Sequence, residues 1–111
     1  MSTKLKKAPA HLSKDTKQWW EEIFREFALE SAQEKLLEAA CDSWDRMIQA
    51  RKLIADQGLT FVDRHGSIKP HAAVAIEKDS RIAFARLVRE LSITSAPTGE
   101  SRPPIISGRY K

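Results

Sequence analysis

Residues 31–58 read SAQEKLLEAACDSWDRMIQARKLIADQG, and the period of their apolar side chains decides the fold. Leu37, Ala40, Cys41, Trp44, Met47, Ile48, Ile54 and Ala55 recur mostly at steps of three and four, the spacing of one helix face. A second row, Leu36, Ala39, Ala50 and Leu53, widens that face. Ser31 followed by Glu34 is a capping-box pattern, in which each side chain satisfies an otherwise unbonded backbone N–H. Gly58, able to take a positive φ, marks the stop. The pattern predicts a helix over residues 31–57, about 40 Å long at about 1.5 Å per residue. A rod of that length outruns a small domain, so short helices of the same chain leave part of it bare. The surplus apolar surface predicts contact with a second copy of the chain, through Leu36, Leu37, Trp44, Met47, Ile48, Arg51 and Ile54.

The flanking segments complete a mainly α fold. Ser13 suits an N-cap and Asp15 a first helical turn; Trp20, Ile23, Phe24 and Phe27 then follow at helical spacing, which predicts a first helix over about 14–28. After Gly58, Thr60-Phe61-Val62 favours a strand, Asp63-Arg64-His65-Gly66 a turn, and Ser67-Ile68-Lys69 an antiparallel return, a β-hairpin over about 59–69. Pro70 suits the entry to a third helix over about 71–91, with Ile76, Ala83, Phe84, Leu87, Val88 and Leu91 as its buried stripe. Residues 1–12 read as a flexible basic arm, 13–91 as the helical core, and 92–111, with three of the five prolines, as a mobile tail.

Composition bounds the function. The chain has 111 residues, 41% hydrophobic and 31% charged, with a net charge of +4, and no apolar run long enough to span a membrane. The N-terminus lacks the apolar segment of a secretory signal, and Cys41 is the single cysteine, so a reducing cytoplasmic location without disulfides is expected. Residues 1–17 carry five lysines against one aspartate, and residues 92–111 three basic side chains against one acidic; residues 18–91 are slightly acidic. Cationic ends on a near-neutral body suit a phosphate backbone. Lys4, Lys6, Lys7, Lys14 and Lys17, with Arg64 and Lys69 on the hairpin, are the candidate DNA contacts. Lysines act there as point charges without reading sequence.

Catalytic equipment is sparse. Asp63, His65 and His71 could serve a small metal-dependent nuclease, as cation ligands and a base, but their spacing matches no zinc pattern. Gly-rich phosphate loops and nucleophile elbows are lacking, and Cys41 sits on an apolar stripe without a nearby histidine. The chain is therefore expected to be no enzyme, with no cofactor and no bound metal. Trp19, Trp20 and Trp44 could stack on bases, although their helical spacing favours the core.

The order of elements resembles the phage terminase small subunits. Leu12-Ser13 precedes a helix with Trp19-Trp20, and a long helix carries Leu36-Leu37, Ala39-Ala40-Cys41 and Gly58. A hairpin and Lys69-Pro70-His71-Ala72 open the last helix, which carries the runs Ile76-Glu77-Lys78-Asp79-Ser80-Arg81 and Leu87-Val88-Arg89-Glu90-Leu91. The resemblance extends from Lys7 to Pro97; Ser92 stands where the family often has glycine. It implies a non-catalytic, ring-forming protein in the host cell cytoplasm that binds double-stranded viral DNA and regulates a large terminase subunit, which carries the ATPase and nuclease. In that setting Ile105, Ile106 and Tyr110 of the tail are candidates for docking on the large subunit. A helical adaptor that binds only protein is the other non-enzymatic reading.

Overall fold

Three helices and one hairpin follow one another in the order that the periodicity predicts. A computed structural model describes residues 7–91, with α1 at Lys14–Glu26, α2 at Ser31–Gln57, β1 at Thr60–Val62, β2 at Ile68–Pro70 and α3 at Ala72–Leu91. The predicted 27-residue rod is α2.

Local signals set most boundaries. Ser13 caps α1, its hydroxyl accepting from Thr16 N–H at 3.3 Å. The start of α2 departs from the expected Ser31/Glu34 capping box: the N-cap is Glu30, and its N–H donates to Gln33 Oε1 at 3.0 Å. The shift of one residue lets Gln33 also donate Nε2 to the Leu91 carbonyl at 3.4 Å, tying the start of α2 to the end of α3. Gly58 ends α2 at φ 90°, with its N–H on the Ile54 carbonyl. Pro70 closes β2, one residue later than predicted, and α3 starts at Ala72 with His71 as its side-chain cap: Nδ1 accepts from Ala73 N–H at 3.0 Å.

Helices α2 and α3 form an antiparallel pair, because Gln33 meets Leu91, Trp44 stacks near Phe84, and Arg51 Nε meets Glu77 Oε2 at 3.1 Å. Helix α1 lies across the lower half of this pair. The core under it joins Leu12, Trp20 and Ile23 to Leu37, Cys41 and Leu91. Residues 8–12, read from the sequence as part of an arm, pack here: Leu12 is buried and Ala8 touches the same cluster.

The predicted stripe of α3 needs correction at one end. Ala73, Ser80 and Leu91 are its buried residues, while Ile76 is 42% exposed. Toward the hairpin nothing from α1 covers the α2/α3 pair, and a helical stripe is buried only where a third element lies on it. The hairpin pairs Thr60 with Pro70, Phe61 with Lys69 and Val62 with Ile68, and all six residues are exposed.

Candidate nucleic-acid and subunit interfaces

Asp45 organises the junction of α1 and α2. Its carboxylate accepts from Ser13 N–H at 2.8 Å, Ser13 Oγ at 2.9 Å and Thr16 Oγ1 at 2.6 Å. Desolvation raises its pKa, but the hydrogen bonds from Thr16 and Ser13, with the nearby His11, outweigh it and hold the carboxyl below its usual 3.8. This clamp fixes Lys14, exposed on the first turn of α1, beside a hollow that Lys52 also lines. Lys17 is half-buried one turn on, and Lys7 is exposed; Lys4 and Lys6 lie outside the described residues.

The hairpin charges stand elsewhere. From Asp45 to the end of α2 is about 18 Å of helix rise, so Arg64 and Lys69 form no common patch with Lys14. Arg64 is exposed at the turn, and Lys69 Nζ lies 3.6 Å from Asp63. Lys52 is the basic neighbour that the sequence reading missed. It lies on α2, 38 positions from Lys14, and only the Asp45 clamp brings the two to one hollow.

The expected alternative of a metal-dependent nuclease loses its ligands. Asp63 accepts from the backbone N–H groups of His65 at 2.8 Å and Ser67 at 2.9 Å, an Asx turn that shapes the hairpin. Since His71 Nδ1 accepts from Ala73, its neutral ring carries the proton on Nε2, which donates to Gln57 Oε1 at 2.7 Å. Both ring nitrogens are committed to structure, and Asp63, His65 and His71 do not gather as a three-ligand cluster. Cys41 is fully buried; desolvation, and then the carboxylates of Asp45, Asp42 and Glu38, push its thiol up to about 12. A thiol so held is no nucleophile at neutral pH.

The candidate subunit contacts divide into two groups. Leu37 and Met47 are buried between helices of one protomer, at 0% and 2% exposure, so a neighbouring chain cannot reach them. That expectation is corrected: spacing marks the apolar stripe of α2 but not which part of it α1 and α3 cover. Leu36 packs half-buried against the α1 core, and Ile48 and Ile54 are half-buried. Arg51 is exposed and ion-paired to Glu77, whose carboxyl is held low by hydrogen bonds from Arg81 and Arg51 that outweigh desolvation. Trp44 keeps 36% of its surface exposed, with its ring 5.0 Å from that of Phe84, and Trp19 lies 5.9 Å from Phe84, the three rings lining one hollow. Further along, Leu53, Leu59, Phe61, Val62 and Ile68 are 42–72% exposed. Ile105, Ile106 and Tyr110 lie outside the described residues.

Among the described residues, no helix is long and apolar enough to cross a membrane. Comparison with curated proteins and with solved structures finds no match. A family model described as phage terminase, small subunit, matches residues 16–103, which include α2, the hairpin, α3 and nearly all of α1. The chain belongs to the phage terminase small-subunit family.

Proposed function

We propose that this protein is the DNA-recognising, non-catalytic subunit of a phage packaging terminase, acting in the host cell cytoplasm as a homo-oligomeric ring and recruiting the large subunit that carries ATPase and nuclease. The family match supports the packaging role. The observation that carries the oligomer is the bare apolar end of the molecule: an isolated two-stranded hairpin is marginal in water, yet here Val62 and Ile68 face each other across it at 66% and 72% exposure. Exposed apolar surface of this kind marks an interaction site. The contact surface of the ring comprises Trp44, Ile48, Arg51 and Ile54 on α2, together with Leu53, Val62 and Ile68.

DNA is held by charge. Lys4, Lys6 and Lys7 follow the backbone, Lys14 at the start of α1 and Lys52 on α2 extend that track, and Arg64 and Lys69 offer a second contact at the hairpin. Ile105, Ile106 and Tyr110 dock on the large subunit.

Two measurements test the proposal. Light scattering at micromolar concentration should give a mass several times that of one chain; a stable monomer refutes the ring. Replacing Lys4, Lys6 and Lys7 with alanine should weaken DNA binding and reduce its dependence on log salt by about three, one for each phosphate no longer neutralised. Unchanged binding by the triple variant moves the site to the folded body, to Lys14 and Lys52 or to Arg64 and Lys69 at the hairpin. Failure of the wild type to retain DNA at low salt leaves a protein-binding adaptor.

A further inference from the structure

His11, Glu38 and Asp42 converge although 31 positions separate the first from the last. Glu38 and Asp42 are one turn apart on α2, so their carboxylates share a face. His11 reaches them because the turn closed by Leu12 N–H on the Pro9 carbonyl is anchored by Leu12 in the core. One ligand atom from each of the three lies within 4.8 Å of the others, and His11 Nε2 stands 2.5 Å from Asp42 Oδ1. Nitrogen and oxygen ligands about 2.0–2.2 Å from a tetrahedral ion stand roughly 3.4 Å apart.

The donor chemistry is selective. One imidazole with two carboxylates suits zinc and similar first-row divalent ions, whereas magnesium and calcium favour oxygen ligands throughout. Lys7 and Lys35 line a hollow with Glu38, and Arg46 lines one with Asp42, so cations stand near the site without closing an ion pair to it. Asp45 stands one turn beyond Asp42 on α2, and among the described residues Asp42 has only His11 as a partner and Glu38 has none.

We propose that His11, Glu38 and Asp42 bind one zinc-class divalent cation, which fastens the turn at residues 9–12 to α2 and so fixes the root of the N-terminal lysine segment. This inference does not rest on the packaging role, and metal binding can fail while that role stands.

The test is calorimetric titration of the full-length, tag-free, chelator-treated protein with zinc chloride, with magnesium chloride in parallel. One zinc per protomer at micromolar affinity is expected, with no magnesium response. His11→Ala and, as a conservative second variant, Glu38→Gln should each weaken zinc binding about tenfold or more, and the double variant His65→Ala/His71→Ala should leave it unchanged. Zinc should also slow tryptic cleavage after Lys7 in the wild type and not in His11→Ala. Absence of saturable zinc binding, or binding indifferent to His11→Ala and Glu38→Gln, overturns the site. Unaltered cleavage after Lys7 overturns the fastening.

Discussion

Asp45, Gly58 and Cys41 each fill a role at the residue scale that their neighbours cannot take over. Asp45 joins α1 to α2 through three hydrogen bonds. Asp45→Ala should destabilise the protein by about 2 kcal/mol, less than the sum of three charged hydrogen bonds because the site is partly open to water. Chemical denaturation checks this. The pH dependence has a fixed sign: the folded pKa lies below the usual 3.8, so the contribution is complete above that value and is lost as pH falls through the folded pKa. The stability that Asp45→Ala removes should therefore be seen at pH 5 and above, and the two proteins should converge at strongly acidic pH. At Gly58 an added Cβ would meet only the Thr60 carbonyl, at 3.8 Å, so space is not the obstacle. The obstacle is the φ of 90°, and Gly58→Ala should cost about 1–2 kcal/mol by urea denaturation. Cys41, buried with its thiol at about 12, should react with a thiol reagent only as fast as the core opens; rapid labelling of the native protein would contradict this.

At the scale of elements, Phe84 of α3 is the point where all three helices meet, its ring in contact with Trp19 of α1 and Trp44 of α2. Tilted aromatic pairs add about 0.5–1.5 kcal/mol each beyond area burial. Phe84→Ala should cost about 2–3 kcal/mol, below the range for a fully buried aromatic because the ring is half-buried, and should shift tryptophan fluorescence in the folded state. The lengths of the elements were legible in the sequence, since α2 carries an uninterrupted period from Leu36 to Ala55 and Gly58 punctuates it. The starts were less so. Ser31 with Glu34 makes as good a local pattern as Glu30 with Gln33; the Leu91 carbonyl, 58 positions from Gln33, favours the second arrangement. His71 was visible as a histidine beside a proline, but its capping role depends on Gln57 holding the other nitrogen.

Taken whole, the molecule has a packed lower half, where α1 covers the helical pair, and a bare upper half ending in the hairpin. The double variant Val62→Lys/Ile68→Glu, which puts opposite charges across the strand pair, should leave monomer stability within about 0.5 kcal/mol, because these side chains are exposed in the single chain. It should nevertheless lower the assembled mass in sedimentation; an unchanged oligomer would place the contact lower, around Trp44. Arg64→Ala distinguishes the two roles of the tip: loss of DNA retention with assembly intact assigns it to DNA, and the reverse assigns it to a neighbouring subunit.

The sequence by itself determined the three helices, the hairpin and their order, because backbone periodicity, caps and glycines act over a few residues. It also displayed the excess apolar surface of α2 and the cationic ends. Only the tertiary structure decided how that surface is divided. Leu37, in the cluster with α1, and Met47 are enclosed within the protomer, while Trp44, Leu53 and the hairpin are left open. The same holds for the polar groupings. The clamp of Asp45 on Ser13 and Thr16, the meeting of Lys14 with Lys52, and the convergence of His11 with Glu38 and Asp42 all depend on how α1 and the turn before it lie across α2. That docking follows from burying Leu12, Trp20 and Ile23 together, a packing outcome that no spacing along the chain records.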